Sequence, residues 1–317
     1  MRILLLVFFL GFLIAQQAPP DARAERPNVS AAEAALAPVV RDHVEQAIRT
    51  RDYLKAEQIL VHEIDRNPRS PNLLTLAAGV FFLDGKYLNA ATALKKADAV
   101  APLDDQSRFT LAMSYIAMDR RDWARPELER LAQKNAENPL YLYWLARLDY
   151  DAQQYPAAIQ KLERVIATDP HYMKAYDNLG LCYEAAGRLD DAVATYRHAV
   201  DLNRQGRPVS PWPPLNLGTL LLKLEQFDDA EKNLRDSLLA DPRFAQAHYV
   251  FGMLLEKRGR DDEAIRELEQ AAALDARYAQ PHYALGRIYR RTGNMAKAVA
   301  ELDQFEKLKQ AKQEKRP

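Results

Sequence analysis

The chain has 317 residues, and its 44 basic residues balance its 44 acidic residues. Without net charge it lacks the electrostatic field that favours nucleic acid, anionic membranes or polyanions in general. The one cysteine, Cys182, excludes an internal disulfide, and we expect it to be a small buried apolar residue.

The N-terminus has the pattern of an export signal. Arg2 precedes an uncharged apolar run from Ile3 to Ala15. This run of about 13 residues suits a signal-peptide core and is short for a membrane span of about 20. We predict that residues 1–15 are a signal peptide and that the protein is periplasmic or secreted. The alternative is an uncleaved anchor that tethers the protein to the membrane through this segment alone. Residues 16–36, rich in Ala, Pro and charge, are predicted to be a flexible linker.

From residue 37 onward, the sequence repeats with a period of 34, which one step of 38 interrupts. One column is alanine in every repeat: Ala56, Ala90, Ala124, Ala158, Ala192, Ala230, Ala264 and Ala298. Four residues later, a second column is large and apolar: Leu60, Leu94, Leu128, Leu162, Tyr196, Leu234, Leu268 and Leu302. Such periodicity indicates an array of structural repeats.

A third column, twelve residues before the alanines, is mostly small: Val44, Ala78, Ala112, Ala146, Gly180, Gly218, Gly252 and Gly286. Small residues allow a neighbouring helix to approach closely. Several repeats also close with a proline, which stops one helix before the next begins: Pro68, Pro102, Pro170 and Pro242. Each repeat is therefore predicted to be a helix hairpin. The eight repeats are residues 37–70, 71–104, 105–138, 139–172, 173–206, 211–244, 245–278 and 279–312.

The fifth repeat resembles the tetratricopeptide repeat, whose pattern is Trp-x2-Leu-Gly-x2-Tyr, then Ala-x3-Phe, then Pro. The matching residues are Leu179, Gly180, Tyr183, Gly187, Ala192, Tyr196 and Ala199. The resemblance implies an all-α fold, a right-handed superhelical solenoid of antiparallel helix hairpins. Repeats 1 to 5 would cover residues 37–206 and repeats 6 to 8 residues 211–312, with a basic tail at 313–317.

A proline-rich insertion separates repeats 5 and 6. Residues 207–210 lead into Pro211, Trp212, Pro213 and Pro214. Because proline disfavours helix in the residue before it, we predict an extended segment here that bends or offsets the array. Trp212 would either stiffen this bend by packing or serve as a free contact in the groove.

No motif for catalysis, phosphate binding or metal binding has its required spacing, so we predict no enzyme activity, no cofactor and no metal. His248 and His282 are 34 residues apart and are expected to be structural. Three acidic pairs recur before the alanine column and are predicted to cap the second helices: Asp190 and Asp191, Asp228 and Asp229, and Asp261 and Asp262.

The resemblance also implies where a partner binds. In this family, positions 2, 5, 6, 9, 12 and 13 of the first helix of each repeat line a concave groove. The peptide-binding residues predicted on this basis are Phe82, Phe109, Tyr143, Arg147, Tyr150, Lys174, Asn178, Trp212, Asn216, Tyr249, Tyr283, Arg287, Arg290 and Arg291. The groove is thus predicted to be aromatic in the middle and basic at its C-terminal end.

We predict a non-catalytic scaffold or adaptor that binds an extended peptide or partner protein in this groove, in an envelope or secretion-related assembly. Asn178 and Asn216 resemble two rungs of the asparagine ladder of O-linked N-acetylglucosamine transferases, which holds a peptide backbone. The arginines at the C-terminal end would hold an acidic group. The alternative is an enzyme, or an accessory subunit of one, with its site in the groove. The 34-residue period and the zero net charge disfavour RNA binding.

Overall fold

The computed structural model describes residues 36–314. The predicted signal peptide, nearly all of the linker and the last three residues of the tail lie outside this range. The described residues form sixteen α-helices and no strand. They are α1 (Pro38–Arg49), α2 (Tyr53–Arg66), α3 (Pro71–Leu83), α4 (Tyr87–Asp98), α5 (Asp105–Ala117), α6 (Arg121–Lys134), α7 (Pro139–Asp151), α8 (Tyr155–Thr168), α9 (Met173–Ala185), α10 (Leu189–Gln205), α11 (Trp212–Lys223), α12 (Phe227–Ala240), α13 (Ala245–Lys257), α14 (Asp261–Leu274), α15 (Ala279–Arg291) and α16 (Met295–Glu314).

The chain divides into two compact bodies, one up to Leu148 and one from Asp149 onward. In the N-terminal body, α1 packs on α2, α3 on α4 and α5 on α6, and each hairpin also packs on the next. In the C-terminal body, α9 to α16 form four hairpins that stack in the same way, and α8 packs on α9. The predicted all-α fold of stacked helix hairpins is confirmed, with two helices for each repeat.

The alanine column forms the centre of the hairpins. All eight alanines are at most 1% exposed. The large apolar residues four positions later are also buried, except for Leu302 in the last helix, which is half-buried. Residues four apart lie on the same side of a helix, so the two columns make one buried stripe along each second helix. The columns therefore recur because every hairpin buries the same side of its second helix.

The small column packs against the large apolar column of the same hairpin. A β-carbon on Gly218 would lie 2.9 Å from Leu234 Cγ and 3.3 Å from the carbonyl oxygen of Ala230. The equivalent distances for Gly252 are 2.7 Å from Leu268 Cγ and 3.2 Å from the Ala264 oxygen. The small residue is thus needed because a large side chain and the backbone of the second helix both approach it.

The turn inside each hairpin contains a residue with positive φ. This residue is glycine in four repeats, for example Gly187 with a φ of 76°. In the other repeats it is a residue with a side chain, such as Glu225 with a φ of 59°. Glycine reaches this left-handed conformation without the steric cost that a β-carbon brings, which explains its recurrence here.

Residues 206–211, between α10 and α11, are not helical, and α11 begins at Trp212. Pro213 and Pro214 lie in its first turn, where their missing N–H groups would have no intrahelical acceptor. The insertion is held by the buried Asn203, whose Nδ2 donates to the Ser210 carbonyl over 2.7 Å and whose Oδ1 accepts from the Ser210 N–H over 2.8 Å. Trp212 packs edge-on against Phe244, with ring centroids 4.7 Å apart. These contacts favour the packed alternative for Trp212.

The acidic pairs lie in the first turn of α10, α12 and α14, where negative charge suits the helix dipole. The N-cap residues themselves are Arg188, Gln226 and Arg260, and none makes a side-chain cap. Asp191 instead accepts from Arg188 Nε over 2.7 Å. No helix within residues 36–314 combines the length and apolar character needed to cross a membrane.

Candidate partner-binding face

The first helices of the C-terminal body, α9, α11, α13 and α15, carry most of the predicted binding residues. We call the side chains at positions 2, 5, 6, 9, 12 and 13 of these helices the first-helix face. Lys174 and Trp212, at position 2 of repeats 5 and 6, are half-buried. Tyr150, at the end of α7, is half-buried and packs edge-on against Tyr155 with centroids 5.6 Å apart. Burial raises the pKa of Tyr150, so its hydroxyl remains protonated at physiological pH.

Two aromatic residues predicted for the groove of the N-terminal body are core residues instead. Phe109 is 5% exposed and Tyr143 is 2% exposed, so neither offers a surface to a partner. Phe82 is half-buried against Tyr87, with ring centroids 5.4 Å apart. The half-buried Arg147 has its guanidinium 5.0 Å from the centre of the Trp144 ring. Large aromatic side chains fill the space between helices here, which their position in the repeat did not reveal.

The two asparagines do not form an open ladder. Asn178 Nδ2 donates to the Lys174 carbonyl of its own helix over 2.9 Å. Asn216 is 8% exposed, and its Nδ2 donates over 2.9 Å to Oδ1 of Asp177, which is 4% exposed. The amide Nδ2 of Asn216 therefore compensates a buried carboxylate of the preceding repeat, and a role of Asn216 in holding a peptide backbone stays a prediction.

A partly exposed aromatic surface lies on repeats 7 and 8. Tyr249 and Tyr283 share position 5, and Met253 and Arg287 share position 9. Tyr283 is 49% exposed, and the Arg287 guanidinium lies 6.0 Å from its ring centre. Arg287 Nη2 also lies 3.7 Å from Met253 Sδ. We call these four residues the tyrosine–arginine face.

Both tyrosines of this face rest on aromatic residues that the sequence interpretation had not included. Tyr249 packs edge-on against Tyr278, with centroids 5.3 Å apart, and the Tyr283 ring lies 5.2 Å from Phe305. Burial raises the pKa of Tyr249 to about 12, although the nearby Arg287 charge acts in the opposite direction. The Tyr249 hydroxyl therefore stays protonated and can donate a hydrogen bond.

The predicted basic end of the groove is largely neutralised. Glu256, 9% exposed, accepts from Arg287 Nε over 3.1 Å and lies 3.4 Å from Arg291 Nη1. Arg291 Nη2 also donates to Asp261 Oδ1 over 2.6 Å. Only Arg290 of the three predicted arginines is exposed without an ion pair to any residue in the described range. The predicted arginines do lie at this end of the first-helix face. The carboxylates that neutralise two of them belong to the preceding repeat, so the positions within repeat 8 did not show them.

With the fold and this face defined, comparison with known sequences decides the family. The sequence pattern of the tetratricopeptide repeat matches residues 109–171, 145–207, 215–280 and 262–311, which together are more than half of the chain. The chain belongs to the tetratricopeptide repeat family. Repeats 1 and 2 lie outside the matched residues, although they form the same hairpins. No curated protein matches the chain.

Solved structures of tetratricopeptide repeat proteins share this fold. One from Parabacteroides merdae superposes with a TM-score of 0.67 at 14% identity, over 82% of this chain and 99% of that one. A chain of the APC/C hetero-tetramer Cut9–Hcn1 has a TM-score of 0.64 at 17% identity; the match spans 78% of this chain and 48% of that one. Yeast Tom70 gives 0.60 at 18% identity, over 81% of this chain and 55% of that one. The tetratricopeptide fold is typical of protein-interaction scaffolds.

The histidine and cysteine side chains that could carry chemistry in this tetratricopeptide protein contact other residues of the same chain or are buried. His248 Nδ1 lies 2.6 Å from Glu267 Oε2, and its Nε2 lies 3.0 Å from the Pro242 carbonyl oxygen. His282 repeats the first contact, 2.7 Å from Glu301. Cys182 is fully buried as predicted, and this burial raises the pKa of its thiol to about 12. No cluster of three or more possible metal ligands occurs in the part of the chain that the structure describes.

A further pattern in the sequence predicts which aromatic residues pack against the first-helix face. Phe244 and Tyr278 are each the last residue of their repeat, 34 residues apart. Each packs against an aromatic residue near the start of the same repeat, Trp212 or Tyr249. An aromatic residue at the end of a repeat, with another near its start, therefore indicates such a pair.

Proposed function

We propose that this protein is a non-catalytic scaffold that binds an extended segment of a partner protein on the tyrosine–arginine face. The observation that carries the proposal is the alignment of Tyr249 and Tyr283 at one position of two consecutive first helices, with Met253 and Arg287 beside them. Aromatic and thioether side chains give large contact area at low entropy cost, as protein interfaces require.

The face supplies both apolar contact and hydrogen-bond donors. The Tyr249 hydroxyl is a neutral donor whose pKa is raised to about 12, and a peptide carbonyl is a suitable acceptor. The Arg287 guanidinium already donates to Glu256 through Nε and Nη2. Its charge is therefore balanced, so we expect the face to select aromatic and apolar side chains rather than acidic ones.

The spacing of the helices sets the spacing of the partner's side chains. Packed helices lie about 8 to 10 Å apart, and an extended chain in the polyproline II form advances about 3.1 Å per residue, with every third side chain on the same side. A peptide that crosses α13 and α15 should therefore place side chains about three residues apart against Tyr249 and Tyr283. This defines a short extended motif with apolar or aromatic residues at its two ends.

The cellular setting is part of the same proposal. The apolar run from Ile3 to Ala15 behind Arg2 supports export, with an uncleaved tether as the alternative. An exported tetratricopeptide scaffold would serve an envelope or secretion-related assembly. Fractionation of cells that produce the full chain, with sequencing of the mature N-terminus, tests this part by itself.

The binding proposal is tested with a displayed library of random linear peptides selected against the full chain. Selected peptides are then titrated by calorimetry against wild type, Tyr249→Ala with Tyr283→Ala, and the control Trp123→Ala. Trp123 is also half-exposed, at 50%, but lies in the N-terminal body. We expect the double variant to weaken binding by about 1 to 3 kcal/mol. Equal loss in the control, or no loss in the double variant, would place the site elsewhere.

A further inference from the structure

Several consecutive repeats are joined by ion pairs between positions 12, 17 or 21 of the leading repeat and positions 13 or 16 of the following repeat. In the N-terminal body, Lys86 Nζ of repeat 2 donates to Glu57 Oε2 of repeat 1 over 2.5 Å. In the C-terminal body, Lys223 Nζ of repeat 6 donates to Glu184 Oε1 of repeat 5, also over 2.5 Å. In both pairs the leading repeat supplies the carboxylate and the following repeat the cation, whereas Arg204 of repeat 5 pairs in the opposite sense with Asp236 of repeat 6.

The last two junctions of the C-terminal body have the same direction. Arg260 Nη1 of repeat 7 lies 3.0 Å from Glu231 Oε1 of repeat 6. Arg291 of repeat 8 lies 3.4 Å from Glu256 and 2.6 Å from Asp261, both in repeat 7. Glu231 and Glu256 are only 6% and 9% exposed. The buried carboxylates of repeats 6 and 7 are thus compensated in part by cations of the next repeat.

Repeat 8 has no carboxylate at the three corresponding positions. Arg290 occupies the position that Glu256 has in repeat 7, and the positions of the other two carboxylates are occupied by Met295 and Val299. Met295 and Val299 are each 55% exposed, and Arg290 is also exposed. No further helix within residues 36–314 covers them. We call Arg290, Met295 and Val299 the terminal face.

We propose that the terminal face binds a helix of a partner protein that places an acidic residue beside Arg290 and apolar residues against Met295 and Val299. This interaction surface is separate from the tyrosine–arginine face and does not depend on it. The preceding junctions show the geometry: a first helix of the following repeat covers these same positions. Met295 and Val299 are four residues apart, so they lie on one side of α16 and suit contact with another helix.

The charge of the terminal face determines which occupant fits. In repeats 6 and 8, position 13 of the first helix is a cation, Lys223 or Arg291. A first helix with a cation at this position would bring that cation to Arg290. A second copy of this chain, stacked through its first repeat, would bring Arg49, which occupies the position that Arg291 has in repeat 8. Two opposed guanidinium groups disfavour this contact, whereas an acidic residue is favoured there. Arg290, in place of the carboxylates Glu184 and Glu256 of repeats 5 and 7, therefore selects a foreign acidic helix, and Met295 and Val299 offer it apolar contact.

The test uses the full chain and a helical probe of known sequence. The probe is a lactam-bridged peptide with the sequence of residues 212–226, a first helix that stacks on repeat 5 in the chain, with Lys223 replaced by Glu. The matched control peptide keeps lysine at this position. Affinities are measured by fluorescence anisotropy at low salt. We expect the wild-type chain to bind the Glu probe about fivefold more tightly than the Lys probe, as for a partly exposed charge pair.

Two protein variants make the test specific. Arg290→Glu should reverse the preference, so that the Lys probe binds more tightly. Val299→Asp should weaken both probes, because it places a charge in the apolar part of the contact. Thermal unfolding of both variants should match wild type, since both side chains are exposed.

Several results would overturn the proposal. They are an equal affinity for the two probes, a preference that Arg290→Glu leaves unchanged, and the absence of saturable binding up to millimolar probe. Sedimentation velocity measures self-association of the chain separately. Concentration-dependent chains of wild type that Arg290→Glu dissolves would identify a second copy as the occupant and contradict the selection against it.

Discussion

The ring of Tyr196 fills the space that a side chain on Gly180 would need. A β-carbon on Gly180 would lie 2.5 Å from both Cδ1 and Cε1 of that ring. Tyr196 is fully buried, and its hydroxyl donates to Glu184 over 3.3 Å. In repeats 2 and 3, the same two positions hold alanine and leucine. The size of the small residue is therefore matched to the size of the residue opposite it.

This match predicts a compensating pair of substitutions. Gly180→Ala should lower the free energy of unfolding by about 1 to 3 kcal/mol, because the added methyl group overpacks a buried interface. Combining it with Tyr196→Leu, which reproduces the alanine and leucine of repeats 2 and 3, should recover part of the loss. Urea unfolding of the two single variants and the double variant measures the coupling. Losses that simply add would show that the two positions do not compete for space.

The Asn216 contact with Asp177 predicts a loss of stability. Asn216→Ala removes a hydrogen bond to a buried carboxylate and should lower the free energy of unfolding by about 1 to 3 kcal/mol. Asn178→Ala is the matched control, because Asn178 shares the repeat position but is only half-buried and donates to its own helix. The control should change stability by less than about 0.5 kcal/mol. Chemical denaturation of both variants checks this, and equal effects would contradict a special role for Asn216.

The contacts of His248 predict that its contribution to the free energy of unfolding depends on pH. Both ring nitrogens face oxygen acceptors, and only the protonated imidazole can donate to both. Burial acts to lower the pKa of His248, but the hydrogen bonds to Glu267 and Pro242 outweigh it and raise the pKa above its ordinary value of 6.5. A raised folded-state pKa stabilises the protein below about pH 6.5, and this benefit disappears as the pH rises through the raised value.

The measurement is the urea midpoint of wild type and His248→Gln at pH 5.5 and pH 8.5. The substitution should destabilise the protein more at pH 5.5 than at pH 8.5. Leu239→Ala, a change at an exposed side chain that does not titrate, is the control and should show no such difference. A larger loss at pH 8.5 would mean that the neutral imidazole is the stabilising form.

The repeat architecture could be predicted because burial recurs with the sequence. The alanine at position 20 of each repeat meets the same environment eight times, so its column is visible without coordinates. The Gly column and the closing prolines are visible for the same reason. A periodic sequence thus determined the sixteen helices, their pairing and the position of each first helix.

The chemistry of the candidate site depends on contacts that no single repeat encodes. Position in the repeat gave the same groove assignment to Tyr143, which is buried, and to Tyr283, which is half-exposed. The position in the repeat likewise predicted a basic end of the groove at Arg291, although carboxylates of the preceding repeat balance the charge of this arginine. A residue's place along a helix determines the direction in which its side chain leaves the axis, and the sequence by itself determined that much. Exposure and net charge depend on the size and charge of side chains tens of residues away, so only the tertiary structure decided them.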